Sequence, residues 1–97
     1  MSSFERVIDA PRECNGYFQL TSLGSAAACP GVGNLVWIQA ETQAIRYRAD
    51  GVAPTAAIGT LINAGECHEL NVGSDGITKI QLIEVTAGAK ANIHVFK

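Results

Sequence analysis

The stretch "IRYRADGVAPT", residues 45–55, sets Ile45 and Tyr47 against Arg46 and Arg48 in strict alternation. A period of two is the mark of a strand with one face on a core and the other in solvent. The alternation then stops. Asp50 and Gly51 supply a turn, and Pro54 fixes φ ahead of the next segment.

Working outward, the same punctuation recurs along the whole chain. "PRECNG" (11–16), "CPGVGN" (29–34), "NAG" (63–65), "GSDG" (73–76) and "TAGAK" (86–90) are all rich in residues that turns favour. Between them lie short β-prone segments: "GYFQLT", "NLVWIQA", "QAIRYR", "TAAIGTLI", "ECHELNV", "ITKIQLIEV" and "ANIHVFK". In "ECHELNV", His68, Leu70 and Val72 oppose Cys67, Glu69 and Asn71. In "ANIHVFK", Ile93 and Val95 oppose Asn92, His94 and Phe96. "ITKIQLIEV" is apolar on both faces and reads as a central strand covered on both sides. Short strands at this spacing predict an all-β, antiparallel β-sandwich of about seven short strands, jelly-roll or Ig-like. The intervals leave no room for βαβ crossovers. Residues 1–97 form a single domain, with residues 1–14 as an extended arm, a leading strand or a short helix carrying Phe4, Val7 and Ile8 on one face.

Composition narrows the function classes. A chain of 97 residues holds one modest core. Its formal net charge of −2 argues against non-specific binding of nucleic acid. Charged residues are 16% of the chain, below the usual ~25%, which hints that a partner covers some of the neutral surface. The three cysteines, Cys14, Cys29 and Cys67, form no close pair and no disulfide framework. The first residues lack an apolar signal-peptide core, and no apolar run is long enough to span a membrane. A reducing cytosol is the expected compartment of synthesis.

No catalytic constellation stands out. A metal site would draw on Cys14, Cys29, Cys67, His68 and His94, but the only close pair, Cys67 and His68, points to opposite faces of a strand. Ser22, Ser25 and Ser74 lie in or beside turns, with no G-x-S-x-G around them. "CPGVGN" lacks the helix that follows a phosphate-binding loop. The expectation is therefore no enzyme, no cofactor and no metal. Of the aromatics, Trp37 sits between Val36 and Ile38 and is expected in the core, which leaves too few exposed rings for a sugar-binding platform.

Arg46 and Arg48 admit three readings: a solvated face, an exposed ion pair with Glu41 or Glu69, or a partner contact. Arginine suits the last because its planar fork pairs carboxylates and its stem covers apolar surface.

The segment "WIQAETQAIRYRADGVAPTAAIGTLINAGE", residues 37–66, and more loosely "ITKIQLIEVTAGAKANIHVFK" to the end, resembles a family of small virion structural proteins of tailed bacteriophages. That family shows Ile-Gln-Ala-Glu, then Arg-Tyr-Arg, an Asp-Gly turn and Pro-Thr-Ala. Here Thr42 stands where the family pattern has Gly, which argues against a two-residue hairpin turn after Glu41. Ala49 replaces a common Asp. The resemblance covers about two thirds of the chain and none of its first thirty residues.

The resemblance implies a non-enzymatic virion component assembled in the bacterial cytoplasm. The preferred role is a capsid decoration, or cement, protein bound at subunit junctions as a homo-oligomer, with a trimer among the candidate forms. Its partners would be capsid or tail proteins, with no nucleic acid and no membrane. Loops 29–34 and 49–55 and the arm would reach neighbours, and Arg46, Arg48, Asp50 and Pro54 are the candidate partner-binding residues. The alternatives are a tail, collar or fibre-base protein, or a small glycan-binding module displayed on the particle.

Overall fold

The structure is a computed structural model that describes residues 13–73 and 75–97. Eight strands appear among these residues: β1 (Cys14–Leu20), β2 (Ala27–Ala28), β3 (Leu35–Glu41), β4 (Ile45–Arg48), β5 (Thr60–Ile62), β6 (Cys67–Asn71), β7 (Gln81–Glu84) and β8 (Lys90–Phe96). They form two antiparallel four-stranded sheets, ordered β1-β8-β3-β6 and β2-β7-β4-β5. Strand one pairs with eight, two with seven, three with six and four with five. The chain is thus one long hairpin rolled on itself, and the β3–β8 and β4–β7 pairs close the roll. This is the jelly-roll order, with both sheets burying one face against the other.

The inward set follows the alternation in the sequence. Val36, Ile38 and Ala40 of β3 and Ala91, Ile93 and Val95 of β8 are fully buried from one sheet. Ile45 of β4, Ile62 of β5 and Leu82 of β7 meet them from the other, with Tyr47 almost fully buried beside them. No buried side-chain N or O among the described residues lacks a hydrogen bond. The core is therefore apolar without a polar penalty.

Three expectations need correction. The apolar segment 77–85 is not one strand: a 3₁₀ turn (Gly76–Lys79) precedes β7. Three residues per turn put Ile77 and Ile80 on the same side, and both are buried. The run is apolar "on both faces" because two periods succeed each other. Segment 55–62 is strand only over Thr60–Ile62. Thr55 folds the rest into a turn: its hydroxyl accepts from the amides of Ala57 at 3.2 Å and Ile58 at 2.9 Å. The two-residue β2 carries no periodic signal and raises the strand count to eight. The arm expected at 1–14 lies mostly outside the described residues. Its last residue, Cys14, opens β1.

The chain crosses between sheets after Glu41. Thr42 has φ +69, and Gln43 N–H donates to the Glu41 carbonyl at 2.9 Å, a γ-turn of the strained sign. The Thr42 hydroxyl donates to the Gly88 carbonyl at 2.7 Å and ties the crossover to the β7–β8 connection. A hairpin is indeed absent here, since β3 and β4 belong to different sheets.

Candidate functional site

The four residues singled out by sequence converge on one loop, residues 49–59, that leaves β4 and folds back along its outward face. Ile45 and Tyr47 point inward, while Arg46 and Arg48 point outward and are half-buried. Arg46 does not face a carboxylate. Its Nε donates to the Ala56 carbonyl at 3.1 Å and a terminal nitrogen donates to the Gly59 carbonyl at 2.8 Å. The guanidinium fork thus pins the far limb of the loop. Gly59 makes the approach possible: at φ +138, a Cβ there would meet the Tyr47 carbonyl and the Arg46 and Pro54 side chains at 3.1–3.2 Å. Pro54 is buried, so it supports the loop from beneath.

Arg48 and Asp50 engage each other in a two-pronged pair, with Nε to Oδ1 at 3.1 Å and a terminal nitrogen to Oδ2. Asp50 Oδ1 also accepts from the Val52 amide at 3.3 Å. The Arg48 guanidinium holds the Asp50 carboxyl below its ordinary range. The sequence offered Glu41 and Glu69 as ion-pair partners, but both lie in the opposite sheet, on β3 and β6. What the loop presents outward is apolar: Val52 is 49% and Ile58 58% exposed. Between the Arg48–Asp50 pair and Ile58–Thr60 lies an open depression of about 450 Å³.

A second surface overturns the expectation that Trp37 lies in the core. Val36 and Ile38 take the inward positions, so Trp37 faces out and is only half-buried. On the outer face of the first sheet, Tyr17, His94 and Trp37 are register partners across β1, β8 and β3. Ring centroids lie 4.9 Å apart for Tyr17–His94 and 5.7 Å for Trp37–His94, with Phe96 6.4 Å from His94. The next row is Gln19, Asn92 and Gln39. Asn92 is its hub: Oδ1 accepts from the Tyr17 hydroxyl at 2.6 Å and Gln19 Nε2 at 3.0 Å. Its Nδ2 donates to Gln39 Oε1 at 3.2 Å and Glu41 Oε1 at 2.7 Å.

The remaining candidates are dispersed. Cys14 and Cys67 are exposed, while Cys29 is buried and its thiol is pushed up to about 12 by that burial. His68 turns inward and meets the Tyr47 hydroxyl at 3.1 Å through Nδ1, joining the two sheets, while His94 sits in the outward aromatic row. Among the described residues no group of three or more His, Cys, Asp or Glu is placed to hold a metal ion. No helix among them is long and apolar enough to cross a membrane. In comparisons with family models, curated proteins and solved structures, nothing matches the chain.

Proposed function

We propose that this chain is a non-enzymatic structural subunit of a tailed-phage virion, a decoration protein that docks at capsid subunit junctions as a homo-oligomer. The observation that supports it is the loop 49–59. Side chains of the scaffold hold the loop in one shape: Arg46 grips its carbonyls, Pro54 fills its underside and Arg48–Asp50 closes its near limb. Yet its outward side chains, Val52 and Ile58, are aliphatic and exposed. Ordering a loop costs roughly 1–2 kcal/mol per residue in backbone entropy, and exposing aliphatics gains nothing in water. A preorganised apolar tip beside a shallow depression is the geometry of a docking element. In this role the arginines shape the interface. They need not supply its charge pairing.

The test uses the full chain and particles of the phage that encodes it. The wild-type chain co-sediments with particles at a fixed stoichiometry. Ile58→Asp, which leaves the core untouched, abolishes co-sedimentation while the melting curve stays unchanged. A copy number on the scale of the capsid lattice identifies decoration, and a small multiple of the tail symmetry identifies a tail or collar subunit. Absence of the chain from the particle sinks the reading.

A further inference from the structure

We infer that the outward face of the β1-β8-β3-β6 sheet is a binding site for a neutral saccharide, with Tyr17, Trp37 and His94 as its stacking row and Asn92, Gln39 and Glu41 as its polar row. The site goes beyond the virion reading and does not rest on it, because it lies on the opposite sheet from loop 49–59.

The residue types on this face select the ligand. A sugar ring presents C–H faces that stack on aromatic rings and a rim of adjacent hydroxyls that planar amides and carboxylates bind in pairs. Both elements are present, one row apart. The aromatic row crosses three strands, about 10 Å at ~4.8 Å per strand, and its rings are tilted to one another by 41° and 58°, so each offers its own face or edge to a sugar ring. Tyr17, 52% exposed, offers the most open ring.

The polar row is fixed in advance. Asn92 bonds to Tyr17, Gln19, Gln39 and Glu41, so Gln39 and Glu41 are oriented before any ligand arrives. Those contacts engage Gln39 Oε1 and Glu41 Oε1. Gln39 Nε2 and Glu41 Oε2 have no hydrogen-bond partner among the described residues, and neither is buried, since no buried side-chain nitrogen or oxygen among those residues is unpaired. One donor and one acceptor, on two side chains that share Asn92 Nδ2 through their other atoms, are what two sugar hydroxyls require.

Charge and composition disfavour other occupants. A nucleic acid strand would also stack on the rings, but it needs cations for its phosphates. Among the described residues, Lys90, directly opposite Glu41 in the register, is the one cation set beside the polar residues, where a phosphate backbone needs several. An apolar protein partner would want aliphatic anchors, and Tyr17 is the only exposed large hydrophobic residue described on this face. Glu41 also disfavours acidic sugars, so the ligand class is neutral.

Trp37 is the sole tryptophan, so its emission reports this site directly. The full chain is titrated with neutral oligosaccharides of glucose, galactose, mannose and N-acetylhexosamine while Trp37 emission is followed. At least one series shifts the emission saturably and independently of salt. Tyr17→Ala and Glu41→Gln each weaken that binding about tenfold or more with an unchanged melting temperature. Ile58→Asp leaves it unchanged, which separates this site from the docking loop. A flat response across the whole panel overturns the inference. So does binding that both Tyr17→Ala and Glu41→Gln leave intact, or a response only to single-stranded oligonucleotide or proline-rich peptide.

Discussion

Arg46→Met separates two arginines that look equivalent in sequence. Methionine keeps the aliphatic stem over β4 and removes the fork that holds the Ala56 and Gly59 carbonyls. A hydrogen bond from a charged donor is worth roughly 1.5–3 kcal/mol when shielded, and less when water can replace it. The Gly59 contact is partly buried and the Ala56 contact is exposed. Taking the first near the low end and the second at about 0.5 kcal/mol gives a sum of about 2 kcal/mol. Releasing the loop returns some of its entropy, so the net loss is about 1.5 kcal/mol. For a domain of this size ~1 kcal/mol moves Tm by about 4–8 °C, so the variant melts about 6–12 °C lower.

The assay is a circular-dichroism melt paired with amide exchange. The amides of Thr55 and Ile58 exchange faster in the variant, although their mutual bonds at 2.9 and 3.2 Å belong to the loop itself. Arg48→Met is the control. Its only partner among the described residues is the exposed Asp50, and an exposed pair of this kind leaves Tm in place. An Arg46→Met variant with wild-type Tm and wild-type exchange at residues 55–59 would refute the view that this side chain holds the loop.

Three further outcomes follow from the core and the turns. At pH 8 a thiol reagent modifies Cys14 and Cys67 in the native chain and leaves Cys29 unreacted until the protein unfolds, and early modification of Cys29 would contradict its burial. Because folding raises the Cys29 pKa to about 12, its contribution is intact below the unfolded-state value near 9. It is lost as pH rises from there to about 12, and Cys29→Ala flattens the denaturant midpoint over that window. Thr42→Val keeps the positive φ and loses the hydroxyl bond to Gly88, costing about 1–2 kcal/mol. Thr42→Gly trades that bond for strain relief and stays near wild type, and urea titrations giving Val equal to Gly would remove the strain argument. Gly33→Ala drives a methyl against the Phe96 carbonyl oxygen, which already accepts from Asn34 N–H at 2.9 Å. It lowers stability by about 1–3 kcal/mol, and a neutral melt would show that the β3–β8 end can yield.

The sandwich was legible because inward positions repeat every second residue. Ile45 and Tyr47, and Ile93 and Val95, are read correctly from alternation alone. The loop 49–59 was legible as a turn but not as a built surface. Which atoms Arg46 grips depends on where Ala56 and Gly59 return, and that return is set by Thr55 and by the positive φ of Gly59 acting together. Segment 77–85 misled because Ile77 and Ile80 obey a period of three and Leu82 a period of two, and an apolar run does not mark where one gives way to the other.

Trp37 carries the larger lesson about function. Its hydrophobicity argues for burial, yet its neighbours Val36 and Ile38 already occupy the inward positions of β3. In a strand the pleat decides the face, and a side chain cannot choose it independently of its neighbours. The alternation that assigns Ile45 to the core therefore assigns Trp37 to the surface, and the same rule sends Tyr17, Asn92 and His94 out beside it. None of them belongs to the core cluster between the sheets. Packing consequently places no demand for a tryptophan, a tyrosine and a connected amide row on that outer face. The demand on these positions is set by what the face meets in solution, just as the demand on Val52 and Ile58 is set by what meets the loop on the other sheet.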